Sequence, residues 1–562
     1  MYAVVPVGEM AIETGFKKGY NETGFRPEIR QKWRNLERTA MASRDRWNQT
    51  MRNSPDPNDY EGSNNPVSPP TRESQAPTVN AASSPDERVS RVDFGQKVAF
   101  GLGMLANQMF PAALGVFLVV LVESLGFSPI AWGFVYFAPR LFDAVTDPIM
   151  GFISDNTRSR WGRRRQYVLI GGILMGITYI AMWQLYRENS LTFNFVYFIG
   201  FSLLFYLGLT IFSVPYVAMG YEMSDDFNER TSIMAVAQFI GQWAWVIAPW
   251  FWVILYDPTW FANPDEGVRT LSVWVAIPCS ILAVIPALFV DSPSTEDRDD
   301  FQPISVRAIL GSIGEIAVST RQAFAIPQFR KLAIATFLVF NSFNVIASFT
   351  FFVVVHHLFS GDAEAAGVWP ALHGCVGALA TTFIVIPLVT MMAKRVGKKQ
   401  TFIVTQGISI IGYILFWFLF VPGKPYLFLI ALPFHSFGIG GLFTLMMSMT
   451  ADVCDVDELR TGQRREGVLG AVYWWMVKFG HAFAGLASGV IMTLVGFDAD
   501  AVTVSAMTGI REAYTFLPIA GVVGAILVME SYDITEKRAE DVRRLLAEKN
   551  RSGGDESLQL PR

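Results

Sequence analysis

Long apolar runs separated by short polar loops fill the chain from Lys97 to about Tyr532. Each run is close to the roughly 20 residues that an α-helix needs to cross a bilayer. Because hydrocarbon offers backbone amides no outside partner, such runs predict a bundle of membrane-spanning helices. We predict twelve, at 98–122, 131–154, 167–186, 193–218, 232–256, 270–290, 331–359, 366–393, 401–421, 426–450, 467–495 and 511–532. The predicted fold class is an all-α membrane protein with twelve transmembrane helices.

Polar segments flank and divide these runs. Residues 1–95 are rich in Pro, Ser and Asn, and they are predicted to form a disordered cytoplasmic extension. Residues 291–330 are predicted to be a cytoplasmic linker, and residues 533–562 a cytoplasmic tail. The runs between them form two predicted six-helix halves, 96–290 and 331–532.

Basic residues predict the orientation. Arg158, Arg160 and Arg163–Arg165 follow the second run, and further clusters lie at 394–399 and 460–465. The loops on the other side hold few basic residues, such as Arg187 and Lys424. Since positive charge collects on the cytoplasmic side, both termini are predicted to be cytoplasmic. The expected location is a cell membrane, and the inner membrane if the source is a bacterium.

The two predicted halves repeat one another. SDNTRSRWGRRR follows the second run and AKRVGKK follows the eighth; YEMSDDFNER follows the fourth and ADVCDVDELRTGQRRE follows the tenth. A duplicated unit of this kind predicts a ligand site between the halves, near the middle of the membrane.

Composition narrows the function. Hydrophobic residues make up 51% of the 562 residues, charged residues 17%, and the net charge is −4, so a nucleic-acid partner is not expected. The three cysteines have no CxxC spacing, and no HExxH or GxxxxGK[ST] sequence occurs. We expect no enzyme activity, no cofactor and no obligate protein partner.

The second run, YFAPRLFDAVTDPIMGF, places Asp143, Asp147 and Arg140 on one helical face, deep in the membrane. An unpaired acid there costs at least about 2.5 kcal/mol. Arg140 can neutralise one charge, and the other predicts a small cation, either H+ or Na+ held by several oxygens at Asp143 and Asp147. A permanent ion-paired cluster of both acids with Arg140 and Lys478 is the alternative.

The eleventh run carries Lys478 with Trp474 one turn earlier. An indole face beside a polar group suits a hydroxylated ring. Further polar side chains lie at a similar depth, and together they predict a neutral, hydroxyl-binding pocket, although each alone is also compatible with helix packing. They are Asn107, Gln108, Thr210, Ser213, Gln238, Gln242, Asn341 and Asn344. Trp243 and Trp245 are candidates for stacking on a substrate.

The loops that follow the second and tenth runs carry opposite charges. We predict a gate in which Arg163, Arg164 and Arg165 bridge to Asp452, Asp455 and Glu458 when the protein faces outward. A purely topogenic role for these arginines is the alternative.

Three segments, DPIMGFISDNTRSRWGRRR, VPYVAMGYEMSDDFNERT and MTADVCDVDELRTGQRREG, closely resemble the glycoside-pentoside-hexuronide:cation symporter family, the melibiose permease relatives of the major facilitator superfamily. The resemblance runs from about Phe94 to Tyr532. It implies the major facilitator fold and a cation site built from Asp143, Asp147, Thr210 and Lys478.

The sugar-contacting positions of the melibiose permease pattern are changed. Two acids and an arginine become Gln108, Ser213 and Gln238, and two tryptophans become Val217 and Phe443. The expected function is cation-coupled symport of a sugar or glycoside, with Na+ or H+ as the coupling ion. Transport of a nonsugar amphiphile, or a membrane sugar receptor without transport, stays open.

Overall fold

The computed structural model describes residues 91–551 apart from 225, 293, 297–302 and 463, and this part of the chain is helical and contains no strand. Residues 1–90 of the extension predicted to be disordered lie outside the described residues, and its last two residues, Phe94 and Gly95, begin the first helix. The helices are α1 (Phe94–Glu123), α2 (Pro129–Asp155), α3 (Arg165–Met182), α4 (Leu191–Glu222), α5 (Glu229–Tyr256), α6 (Pro264–Phe289), α7 (Val306–Ala325), α8 (Pro327–Leu358), α9 (Ala363–Val396), α10 (Lys398–Leu419), α11 (Pro425–Thr461), α12 (Glu466–Leu494), α13 (Val504–Glu530) and α14 (Glu536–Arg551).

Eleven helices of the described chain are long and apolar enough to cross a membrane: α1, α3 to α6 and α8 to α13. Each coincides with one of the predicted runs. The remaining run, 131–154, forms α2, which has 27 residues but carries the charged side chains of Arg140, Asp143 and Asp147. Each of the twelve predicted runs thus corresponds to a helix of the described chain, and the one that length and apolar composition do not select holds the predicted ion site.

Helix ends follow local chemistry. Ser128 caps α2, accepting a hydrogen bond from the Ala131 amide at 3.4 Å, and Pro129 occupies the first turn, where a missing N–H costs nothing. At the end of α11, Gly462 adopts a left-handed conformation with φ of 72°. The preceding residues, ADVCDVDELR, contain no Gly or Pro that would end the helix earlier. α11 therefore extends to Thr461, well past the predicted end at 450.

The segment predicted to be a linker contains a helix that the sequence analysis did not predict. Ser305 caps α7 by accepting a hydrogen bond from the Ala308 amide at 3.2 Å, and α7 contacts α2, α8 and α12. The predicted tail likewise contains α14, which packs against α11 through buried Val542 and Leu546. Both helices lie beside the ends of spanning helices.

The N-terminal helices α1–α6 meet the C-terminal helices α8–α13 along two main contacts, α2 with α12 and α5 with α9. We call the end of the bundle that carries residues 158–165 the arginine-rich end and the other the opposite end. At the opposite end α2 and α12 approach backbone to backbone, because a Cβ on Gly489 would lie 2.4 Å from the Pro129 carbonyl oxygen and 2.7 Å from the Gly133 Cα. Only glycine permits this contact.

The opposite end is closed by further contacts between the same two sets of helices. The His356 Nε2 atom lies 3.0 Å from the Glu123 Oε1 atom, joining α8 to α1. Trp132 packs edge-on against Phe352, with ring centroids 5.8 Å apart. These contacts hold the two sets of helices together at this end.

Candidate functional site

The predicted ion site is assembled from three helices. α2 supplies Asp143 and Asp147 one turn apart, α4 supplies Thr210 and α12 supplies Lys478. The Thr210 hydroxyl donates to Asp143 Oδ1 at 2.7 Å, and the Thr210 hydroxyl oxygen lies 3.3 Å from Asp147 Oδ1. The Lys478 ammonium donates to Asp147 and lies 2.6 Å from Asp143 Oδ2. We call these four residues the cation-site cluster.

The charges of the cluster do not balance. Two carboxylates face one ammonium, so the ionised cluster carries one net negative charge. Arg140, predicted to neutralise one acid, does not do so: its guanidinium lies over the Tyr136 ring, 5.3 Å from the centroid, and within the described chain it makes no ion pair or hydrogen bond. The alternative of a cluster closed by both Arg140 and Lys478 is therefore not what this structure contains.

Access to the cluster is uneven. The Asp143 side chain is 8% exposed, whereas Asp147 and Lys478 are 23% and 27% exposed. Asp143 is thus held inside the protein, while Asp147 and Lys478 are partly exposed. A small cation can reach the cluster at these two side chains.

Thr146 is a site residue that the sequence analysis missed. Its hydroxyl lies 3.1 Å from the Thr210 hydroxyl and 3.2 Å from the Asp143 carbonyl oxygen. Its position in the sequence between the two acids of α2 could have identified it as a site residue. The carboxylate and hydroxyl oxygens form a donor set of the kind that Na+ or a proton accepts, and no group of three or more His, Cys, Asp or Glu suited to a metal occurs in residues 91–551 as described.

Two of the predicted substrate residues lie together. The Gln108 amide nitrogen donates to Gln238 Oε1 at 2.8 Å, and the Trp245 indole N–H donates to Gln108 Oε1 at 2.9 Å. These hydrogen bonds join α1 to α5. The Gln238 amide nitrogen makes no hydrogen bond with another described residue, so it can donate to a ligand. The hydrogen bond of Trp245 was not predicted.

The other predicted substrate residues do not take part in these hydrogen bonds. The Asn344 amide donates to the Phe340 carbonyl oxygen of its own helix at 2.7 Å, and Asn341 donates to the Gly480 carbonyl oxygen at 3.5 Å. The Asn107 amide contacts the Met104 sulfur at 3.8 Å. Ser213 is half-buried, and Trp474 is 45% exposed with its ring edge-on to Tyr473.

The predicted gate is not formed in this structure. Arg163 pairs with Glu222, and Arg164 lies 2.7 Å from Asp155 and 3.2 Å from Glu222. Burial lowers the pKa of the Arg164 guanidinium, while Glu222 and Asp155 raise it. Arg165 donates to the Ala287 carbonyl oxygen at 2.6 Å. Each arginine is thus engaged within the N-terminal helices.

The predicted acidic partners are engaged within the C-terminal helices. Asp452 lies 2.6 Å from the Lys398 ammonium, and Arg464 lies 3.4 Å from Asp455 and 2.8 Å from Glu458. The hydrogen bond that Arg464 donates to Glu458 raises the pKa of the Arg464 guanidinium. The arginines and the acids each have ion-pair partners within their own set of helices, so no ion pair joins the arginines to these acids in the described chain.

The two sets of loops make the same contact twice. Gly162 and Gly397 both have positive φ, 90° and 82°, where glycine avoids the strain of a side chain. A basic side chain after each glycine pairs with an acid on the second helix that follows: Arg163 with Glu222 of α4, and Lys398 with Asp452 of α11. The sequence repeat is therefore matched by a repeated structural contact.

Helices long and apolar enough to cross a membrane, with a charge cluster between the two sets, are the architecture of a multi-pass membrane transporter, and the comparison with known families agrees. The model of the family described as MFS/sugar transport protein matches residues 99–536, and the chain belongs to that family. The predicted resemblance to the symporters of this superfamily is confirmed.

Curated relatives are similar over most of their length. The chain is 25% identical to a glucuronide carrier protein homolog of Escherichia coli (strain K12) over 453 residues, 79% of this chain and 93% of the relative. It is 23% identical over 471 residues to a putative glycoside/cation symporter of the same organism, YagG, covering 83% and 98% of the two chains.

Solved structures share the fold. The structure titled inward open conformation of the xylose transporter XylE from E. coli aligns with a TM-score of 0.55 at 14% identity, covering 80% of this chain and 99% of that chain. The nucleoside transporter NupG (D323A mutant) aligns with a TM-score of 0.55 at 13% identity, covering 77% and 99%. The predicted major facilitator fold is thereby confirmed.

Proposed function

We propose that this protein is a cation-coupled symporter of a sugar or glycoside that works by alternating access between two six-helix halves, α1–α6 and α8–α13. The observation that carries the proposal is Lys478, which reaches from α12 to both acids on α2. An ion pair between the halves makes their relative position depend on the charge at the acids.

The coupling follows from charge. A cation that binds Asp143 and Asp147 replaces Lys478 as their counter-charge, and the ammonium becomes available to a substrate hydroxyl. Affinity is then reciprocal, since whatever the cation adds to substrate binding the substrate adds to cation binding. Na+ and H+ both satisfy this scheme, because the site offers carboxylate and hydroxyl oxygens.

The substrate pocket in this proposal lies between the cation-site cluster and the hydrogen-bonded side chains of Trp245, Gln108 and Gln238. The side-chain amides recognise neutral hydroxyl groups by directed hydrogen bonds, and the Trp245 indole N–H, which donates to Gln108 Oε1, orients the first of them. The names of two relatives, a glucuronide carrier homolog and a putative glycoside/cation symporter, support a glycoside as the substrate class. The exposed Trp474 ring supplies a face for sugar C–H groups.

Orientation and gating complete the proposal. The arginine-rich end is cytoplasmic, in keeping with the positive-inside rule, so α1 and α14 begin and end on that side. The bundle is then closed toward the outside and its gate residues are parted on the inside. In the outward-facing state Arg163–Arg165 exchange their present partners for Asp452, Asp455 and Glu458.

The test is uptake into proteoliposomes of a labelled sugar panel that includes a uronide and a disaccharide, with sodium and proton gradients imposed separately. We expect one gradient to drive accumulation above equilibrium, and the same sugar to show counterflow without a gradient. Binding of a sugar without counterflow would refute transport. Equal uptake with and without both gradients would refute coupling.

A further inference from the structure

A basic cavity lies at the arginine-rich end, away from the cation-site cluster. It has a volume of about 440 Å³, within the usual range for ligand pockets, and it lies between the α9–α10 turn, α11 and the start of α14. Five cationic side chains line it, against only two acidic ones. They are Lys394, Arg395, Lys398, Lys399 and Lys537, with Asp452 and Glu536.

Some of these cations have partners and others do not. Lys398 pairs with Asp452 at 2.6 Å, and Lys399 donates to the Glu530 carbonyl oxygen at 2.7 Å. Lys394, Arg395 and Lys537 make no ion pair or hydrogen bond with other described residues. The cavity therefore carries a surplus of positive charge, and an anion is the ligand that its chemistry selects.

The residues beside the free cations indicate where the anion comes from. Met391 and Val396, on the same end of α9 as Lys394 and Arg395, are 43% and 54% exposed. Because α9 is a membrane-spanning candidate, these apolar side chains lie where the membrane surface meets the bundle. Cations next to exposed apolar side chains at that depth match an amphiphile with an anionic head and an acyl chain.

We infer that this cavity binds the phosphate-bearing headgroup of an anionic phospholipid, with Lys394 and Arg395 on the phosphate and the acyl chain along Met391 and Val396. Lys537 places the start of α14 on the same headgroup. A bound lipid then ties the α9–α10 turn to the C-terminal helix. The inference does not depend on the proposed transport function.

The test uses the full-length protein, purified and delipidated in detergent, with thermal unfolding followed as lipid is added. The probes are dioctanoyl-phosphatidylglycerol, dioctanoyl-phosphatidylcholine and inorganic phosphate. Phosphatidylglycerol is expected to raise the unfolding temperature saturably. In the double variant Lys394→Gln/Arg395→Gln its half-saturating concentration should rise about thirtyfold, which corresponds to the roughly 2 kcal/mol that two cations contribute near an anionic surface.

Two further variants separate binding from folding. The charge-conserving swap Lys394→Arg/Arg395→Lys should bind phosphatidylglycerol like the native protein. The pair Arg543→Gln/Arg544→Gln removes two cations of α14 that do not line the cavity, and it should also leave binding unchanged. Unaltered binding in the Lys394→Gln/Arg395→Gln variant would overturn the site. An equal response to inorganic phosphate would overturn the lipid, and an equal response to phosphatidylcholine would overturn the selection by charge.

Discussion

Neutralising Asp143 tests the cation-site cluster directly. In the native protein the Thr210 hydroxyl donates to Asp143 Oδ1 at 2.7 Å. In Asp143→Asn the amide oxygen can accept the same hydrogen bond, so we expect the helices to keep their packing. Lys478 keeps Asp147 as its partner. The formal charge of the cluster changes from one negative to zero, and the attraction that holds a cation is removed.

The size of the effect follows from Coulomb's law. A unit charge about 4 Å from the cation, at an effective dielectric constant of about 20, contributes about 4 kcal/mol. This energy corresponds to roughly a thousandfold weaker cation binding. Substrate binding should weaken only by the factor that the bound cation contributes to it, since in the proposed pocket the substrate does not contact Asp143 itself.

The assay is gradient-driven accumulation, compared with counterflow of the same sugar, in proteoliposomes that contain equal amounts of each variant. We expect Asp143→Asn to lose accumulation driven by the coupling ion and to retain counterflow. Asp257→Asn removes an acid that hydrogen-bonds Thr259 in a loop at the opposite end, and it serves as the matched control. Native accumulation with a native half-saturating cation concentration in Asp143→Asn would refute the role of this acid.

Three further substitutions test other parts of the structure. Lys478→Met leaves two carboxylates without their ammonium, and we expect uncoupled transport and about 3 kcal/mol lower stability, measured by chemical unfolding; an unchanged stability would contradict the ion pair. Gly489→Ala should force the opposite end open, detected as faster labelling of an introduced cysteine there by an impermeant maleimide, whereas Gly470→Ala, which meets open space, should not. Trp245→Phe removes the donor to the glutamine chain and should raise the KM for sugar several-fold at constant cation affinity; the same change in the neighbouring Trp243→Phe would assign the effect to the membrane surface.

The sequence was sufficient to locate the helices of the bundle because apolar length and backbone satisfaction determine them. It also identified Asp143, Asp147 and Lys478 as one group, since ionisable residues deep in a membrane need each other. It did not decide between Arg140 and Lys478 as the partner of the acids. That choice depends on how α2 and α12 are rotated against one another, which no local pattern records.

The charged loops show a second limit of the sequence. Opposite charges on loops at the same side of the bundle predict a bridge between Arg163–Arg165 and the acids at 452–458 in the outward-facing state, and that bridge stays a prediction; the pairings present in this structure were not predicted, because several have similar charge. The structure chooses the nearest partners, Glu222 and Asp155 for the arginines and Lys398 for Asp452. Proximity within each set of helices decided the outcome, and only tertiary packing supplies it.

The two ends of the molecule are secured by different forces. Gly133 and Gly489 meet as bare backbone, so this contact at the opposite end depends on shape, and dissolved salt leaves it unchanged. The paired charges around Arg163 and Lys398 are partly open to water and weaken as ions screen them. Raising the ionic strength should therefore weaken the ion pairs inside each set of helices at the arginine-rich end, while the glycine contact between the two sets at the opposite end stays as it is.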